Sequence, residues 1–352
     1  MKTFDYSRPA TLAEALSKGA EPGARYIAGG TNLMDLMKAN VARPDKIIDI
    51  SRLPELSGID MAEDEGLRIG ALVRNADMAR DPRIARTYPA LAEALLSGAS
   101  PQLRNMATLG GNLMQSTRCP YFYDAHSACN RRDPGAGCDA IGGETHNQAV
   151  LGWSDQCIAT HPSDMAVPLA ALGAVVEIAG PEGQRDVPVM QFYALPDATS
   201  PGGPKLNQGE IVTGIHIPGG MEAFADHSRY LKLRERTSFA FALVSAAAML
   251  RIAGGHITEA RIALGGVAAA PWRVEEAEAL LTGTTPGTEA FARAADILTA
   301  GAAPSGDNAH KIDLAKRIAV RALTLAAAGT PAEMPALPAS VFAAETGEPA
   351  HA

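Results

Sequence analysis

The chain has 352 residues, of which 47% are hydrophobic, 20% charged and only 5% aromatic. That length accommodates two domains with separate cores, and the composition is that of a globular chain whose interior is built from aliphatic side chains. A net charge of −8 without a basic stripe excludes nucleic acid as a partner, because binding it needs clustered Lys and Arg to displace counterions.

Met1 to Pro9 carries no apolar segment of secretory type, so the chain read alone is expected in the cytoplasm. Thr11 followed by Glu14 is a capping pair, predicting a helix that ends at Gly19. Arg25 to Ala28 reads as a strand, Gly29-Gly30 as a turn, and Thr31 to Lys38 as an amphipathic segment. Lys46 to Ile50 and Leu67 to Val73 have strand character, and Pro89 to Ser97 is helical. Met165 to Leu172 is expected as a helix, and Ala174 to Ile178 and Ile211 to Ile217 as strands. Residues 196 to 209, with three Pro and three Gly, read as an irregular connection.

Pro218-Gly219-Gly220 is the best domain boundary. Beyond it come strands at Arg229 to Arg234, Ala242 to Ile252 and Ile257 to Leu264, with a hairpin turn at Gly254-Gly255. Helices follow at Val274 to Leu281, Thr288 to Ala300 and Ile312 to Ala327. Strands first and helices afterwards indicate an α+β class. The apolar run Phe239 to Leu250 is too short to span a bilayer. The expected division is 1–220, 221–330 and an extended tail over 331–352.

Two double-glycine turns stand out. Tyr26-Ile27-Ala28-Gly29-Gly30-Thr31-Asn32-Leu33 places two glycines between a strand and a helix, and Thr108-Leu109-Gly110-Gly111-Asn112 repeats the chemistry eighty residues later. Without a Cβ the backbone approaches a bulky anion closely, and amides at a helix start can point at it. Either turn alone reads as an ordinary connection. Neither has the G-x-G-x-x-G spacing of a Rossmann fingerprint or the lysine of a Walker motif.

Together these turns resemble those of the flavin-binding subunits of the xanthine dehydrogenase and molybdenum hydroxylase family, over Phe4 to about Ala328. The resemblance implies a two-lobed FAD-binding domain of the vanillyl-alcohol-oxidase type followed by a smaller α+β domain of the CO dehydrogenase flavoprotein type. It implies that Tyr26 to Leu33, together with Thr108, Gly110, Gly111 and Asn112, hold the FAD pyrophosphate. It also implies that Asp164 hydrogen-bonds the flavin, that Lys232 lies near the isoalloxazine and that Ile211 touches the adenine. On local grounds Asp164 reads equally as a helix cap, Lys232 as a solvated strand charge and Ile211 as core.

All four cysteines, Cys119, Cys129, Cys138 and Cys157, fall within 39 residues, with 9, 8 and 18 residues between them. Spacing alone ranks an iron–sulfur centre, a zinc site without a C-x-x-C knuckle, and two disulfides in any of three pairings about equal. The family pattern has about ten residues between G-G-N and the flavin aspartate, whereas Asn112 and Asp164 are 52 positions apart. An insertion at about 113–160 therefore carries every thiol. It resembles the insertion that holds a [4Fe–4S] cluster in flavin subunits of periplasmic aldehyde oxidoreductases and of 4-hydroxybenzoyl-CoA reductase, and Cys119-Pro120-Tyr121-Phe122-Tyr123 is nearer the former. Arg118, Arg131 and Arg132 are available to offset a cluster's negative charge, and Gly135 and Gly137 to bring amides to its sulfurs. His126, His146 and His161 are expected as ordinary hydrogen-bonded histidines.

The reading that results is an electron-transfer subunit with FAD and a [4Fe–4S] cluster but no catalytic residue of its own. By resemblance it joins a large molybdenum-cofactor subunit and a small [2Fe–2S] subunit in a heterotrimer that oxidises aldehydes. It passes electrons to an external acceptor and reaches the periplasm on a signal-bearing partner. The alternatives are a 4-hydroxybenzoyl-CoA reductase-like or other molybdenum hydroxylase subunit, or a stand-alone FAD oxidoreductase with a zinc loop.

Overall fold

The computed structural model describes residues 1–332; residues 333–352 of the expected tail lie outside the described residues. The first lobe is a three-stranded parallel sheet in which Lys46–Asp49 lies between Asp5–Ser7 and Ala24–Ile27. Its leading helix, Leu12–Gly19, starts where the capping pair predicts. The Glu14 amide bonds the Thr11 hydroxyl at 3.2 Å, and the Glu14 carboxylate accepts the Ala10 amide at 3.0 Å. Ala15, Ala24, Ile48, Leu53 and Leu56 form the core beneath it.

The second lobe is a five-stranded antiparallel sheet in the order Ile59–Met61, Leu67–Gly70, Ile211–Ile217, Val175–Gly180, Gly183–Pro188. Ile211–Ile217 runs through its centre and joins the lobes, because Ile211 is buried in the first core and Ile215 and Ile217 in the second. Helices Pro89–Ser97 and Ala166–Ala171 share one buried core with this sheet and pack closely on the strands of the third unit.

The third unit is a four-stranded antiparallel sheet, Ser228–Leu233, Val244–Ala253, His256–Gly265 and Trp272–Arg273. Helices Glu275–Leu281, Thr288–Leu298 and His310–Ala328 pack on it around Leu250, Ile262, Leu264, Phe291 and Leu323. Gly254 and Gly255 both take positive φ, as the tight turn between the long strands requires. Glu93 of helix Pro89–Ser97 binds across to this sheet, accepting from Arg229 Nε at 3.0 Å. The whole is the α+β class expected from the order of elements.

Candidate flavin and cysteine sites

The two glycine turns meet. A Cβ on Gly29 would lie 1.9 Å from the carbonyl oxygen of Met106, and Gly30 has φ +72°, so glycine is required at both positions. Among the described residues, the amides of Gly29, Gly30, Thr31 and Asn32 have no hydrogen-bond partner. Asn32 accepts the Ser116 amide at 2.9 Å through Oδ1, while its buried Nδ2 is unpartnered. Four open amides and an orphaned donor on one glycine loop at a helix start fit a pyrophosphate.

The second turn plays a different part from the first. The Gly110 amide is spent on Ala71 O at 2.8 Å, and the Gly111 amide on the Thr108 hydroxyl at 3.3 Å. Gly110 serves close packing, its Cα lying against Ala71, whereas a Cβ on Gly111 would meet only the Thr108 hydroxyl. Asn112 Oδ1 accepts both Gln115 Nε2 and Ser163 Oγ at 2.7 Å, which ties the turn to the segment carrying Asp164.

Ser163, not Asp164, caps the following helix, since its hydroxyl accepts the Ala166 amide at 3.1 Å. The Asp164 carboxylate is thereby left for other partners. It accepts Lys232 Nζ at 2.8 Å and the Tyr230 hydroxyl at 2.6 Å, and the Lys232 side chain is only 3% exposed. Lys232 is thus no solvated strand charge. Burial and the Asp164 charge push the Tyr230 hydroxyl well above its ordinary range, so it stays a donor. Tyr230 is a member of the site that sequence reasoning passed over, because the pairing is non-local.

Around Asp164 lies a cleft lined by Arg118, His161, Phe241, Ser245 and Gly266. The His161 ring packs on Tyr193, with ring centroids 4.3 Å apart, and its buried Nε2 has no partner, unlike the bonded histidine expected. Burial, reinforced by Arg131, holds its pKa down to about 3. Tyr26 directs its hydroxyl to the carbonyls of Gly209 and Ala15, and Ile211 and Ala28 pack in the first core. Ile27 lies beside Gly30, and Thr31 and Leu33 are half-buried at the start of helix Leu33–Lys38.

The insertion leaves and returns through a neck where Thr117 Oγ1 bonds Thr160 O at 3.1 Å. Within it, Cys119, Cys129, Cys138 and Cys157 all line one cavity, and none is in a disulfide. Leu36, from the helix that begins at the first glycine turn, packs in the same buried cluster as Cys119, Cys129 and Cys157. Arg131 Nε donates to Cys157 Sγ at 3.0 Å, Gln148 Nε2 to Cys119 Sγ at 3.4 Å and the Ala159 amide to Cys157 Sγ at 3.5 Å. Of the three arginines, Arg131 alone donates to a sulfur. Arg132 binds the carbonyls of Tyr121 and Phe122, and Arg118 stacks on Phe241 at 4.8 Å. Gly135 and Gly137 take positive φ, but the Gly137 amide goes to Asn130 Oδ1 and not to a sulfur. His126 and His146 lie outside the cavity, His126 beside Asp124 and His146 stacked on His310.

Burial pushes the Cys119 and Cys138 thiols up, so a metal centre here displaces protons as it binds. Four thiolates on one zinc at about 2.3 Å stand roughly 3.8 Å apart. Among the described residues, no three His, Cys, Asp or Glu side chains are grouped closely enough to hold a single metal ion. The thiols share a cavity and reach it from separate segments.

Paired glycine turns at the start of a helix, with a buried aspartate–lysine–tyrosine group beside them, define a flavin-binding subunit. The family model for the FAD-binding domain of molybdopterin dehydrogenases matches residues 2–220, and that for the CO dehydrogenase flavoprotein C-terminal domain matches 229–326. The chain belongs to the FAD-binding subunits of the molybdenum hydroxylase family. It is 48% identical to the aldehyde oxidoreductase FAD-binding subunit PaoB of Escherichia coli, over 90% of this chain and 96% of that protein. It is 30% identical to the carbon monoxide dehydrogenase medium chain of Hydrogenophaga pseudoflava, over 92% of this chain and 96% of the relative. The solved structure of quinoline 2-oxidoreductase from Pseudomonas putida matches 93% of this chain and 97% of its own, with TM-score 0.71 and 28% identity.

Proposed function

We propose that this chain is the FAD- and [4Fe–4S]-carrying electron-transfer subunit of a molybdenum-containing aldehyde oxidoreductase. Its partners are a large molybdenum-cofactor subunit and a small [2Fe–2S] subunit, and the complex works in the periplasm after export on a signal-bearing partner. The likeness to PaoB supports the aldehyde class, and the names "medium chain" among the relatives support an assembly with larger and smaller subunits. No helix among the described residues is long and apolar enough to cross a membrane.

The carrying observation is that every thiol of the chain lines one cavity, and that Leu36, of the helix that begins at the open amides of the flavin loop, packs in the same buried cluster. A cubane cluster spaces its four ligands more widely than one ion does, which suits thiols that share a cavity without closing on a single point. When bound, FAD exchanges electrons singly or in pairs and an iron–sulfur cluster exchanges them one at a time. The chain's own residues bind and orient. The Gly29 to Asn32 amides receive the pyrophosphate, and Asp164 is held by Lys232 and Tyr230 with its charge fixed at the flavin cleft. Arg131 and Gln148 donate to cysteine sulfurs, and the Thr117–Thr160 bond ties the two arms of the insertion together at its neck.

Anaerobic purification with quantification of flavin, iron and acid-labile sulfide tests this reading. The expected result is one cubane's worth of iron per flavin beyond that of the smallest subunit. A yellow, folded complex with no such iron overturns the cluster assignment, and an isolated chain that oxidises aldehydes unaided overturns the electron-transfer role.

A further inference from the structure

Lys311 sits in the first turn of helix His310–Ala328 and has no exposed surface. Its ammonium bonds three backbone carbonyls, Gly266 at 2.7 Å, Gln148 at 2.8 Å and Asn147 at 3.2 Å. Gly266 belongs to the loop lining the flavin cleft, and Asn147 and Gln148 to the returning arm of the cysteine-rich insertion. The same Gln148 gives its side-chain amide to Cys119 Sγ.

Burial alone lowers the Lys311 pKa, to about 7, and no carboxylate opposes it. Of the nearby acids, Asp313 is paired with Arg317 at 2.8 Å, and Glu235 faces His146 at 3.4 Å. An ammonium withdrawn from water without a counter-charge is unfavourable. Carbonyl dipoles satisfy its hydrogen bonds but do not cancel its charge. The four-thiol cavity, where negative charge can collect, is one residue away, through Gln148 to Cys119.

We propose that Lys311 is a second, fully buried counter-cation of the iron–sulfur site beside Arg131, a positioning residue that fastens the insertion's return arm and raises the cluster's reduction potential. This rests on the cluster assignment. Reduction adds an electron to an already negative centre, so a fixed positive charge nearby favours the reduced form.

The test uses the complete complex purified anaerobically. Iron and sulfide in the unsubstituted enzyme are measured first; their absence sinks the cluster assignment, independently of Lys311. With the cluster present, its midpoint is followed by electron paramagnetic resonance in Lys311→Met, Lys311→Arg and Asn308→Leu. Asn308 Nδ2 holds the same arm, at the carbonyls of Gln148 and Ala149, and carries no charge. Lys311→Met is expected to lower the reduced-to-oxidised ratio at fixed potential by about tenfold, which is about 59 mV for one electron. Lys311→Arg is expected to restore it, and Asn308→Leu to leave it in place. An unmoved midpoint in Lys311→Met with full iron, or an equal shift in Asn308→Leu, overturns the proposal. If Lys311→Met does not assemble, Lys311→Arg decides. Assembly with the normal midpoint supports a need for charge, and failure of Lys311→Arg as well shows that shape is what the position requires.

Discussion

Replacing Gly29 by Ala probes the flavin loop at the point where the two glycine turns touch. The new methyl carbon would stand 1.9 Å from Met106 O and 2.7 Å from its carbonyl carbon, both backbone atoms that no rotamer change can clear. Restoring ordinary contact at about 3.4 Å moves one loop by roughly 1.5 Å, and overpacking on this scale costs about 1–3 kcal/mol. Because the Gly29 to Asn32 amides are open and are proposed to receive the FAD pyrophosphate, most of that cost should fall on binding. The expected outcome is a FAD dissociation constant about 5- to 150-fold larger. Flavin fluorescence titration of the deflavinated complex measures it, with thermal unfolding of the flavin-free form as a parallel reading. Gly111→Ala is the comparison, since its Cβ meets only the Thr108 hydroxyl at 3.2 Å. Unchanged FAD affinity in Gly29→Ala, or a loss seen only in the thermal midpoint of the flavin-free form, would refute the claim that this contact shapes the site.

Lys232→Met strands Asp164 as a buried carboxylate with only Tyr230 for company, so a destabilisation of about 3–5 kcal/mol is expected in denaturant melts, with a shifted flavin absorption band. Cys129→Ser should lower iron and sulfide while leaving flavin content near normal, as the glycine loops do not depend on that thiol; elemental analysis reads both. His161 stays neutral in the fold, with a pKa near 3 against about 6.5 unfolded. The unfolded chain therefore binds more protons between those values, and stability present above pH 6.5 drains away as pH falls toward 3. Chemical melts of His161→Leu across pH 4 to 7 should show a shallower slope than the unsubstituted chain, and equal slopes would count against this burial.

Much of the fold was legible in the sequence because its signals are local. The Thr11–Glu14 capping pair and the Gly254-Gly255 hairpin each act over a few residues and appear where expected, and strand Ile211–Ile217 forms too, although as the central strand it is buried at nearly every position instead of alternating. Strand Gly183–Pro188 was not foreseen. It is a polar edge strand with most of its side chains exposed, so it carries no hydrophobic period. The predicted strand Leu67 to Val73 stops at Gly70, where the chain turns to let the Val73 carbonyl receive the Leu109 amide. At the site, glycine doublets announce themselves by composition, but the division of labour between them does not. Which amides remain open depends on Ala71 and Met106, partners dozens of residues away. Lys311 was invisible for the same reason, since a lysine in the first turn of a helix ordinarily reads as solvated.

Val150 and Leu151, at the end of the insertion, are buried among Leu250, Ile262 and Leu323 of the C-terminal unit, and both their amides bond Val267 O. The excursion is therefore a cork as well as a container. Anyone shortening it to make a leaner flavoprotein would pull two aliphatic side chains from a neighbour's interior, leaving a wet hole far from the edit. Such a trimmed chain would need larger side chains at the vacated spots before it could fold as tightly as its parent.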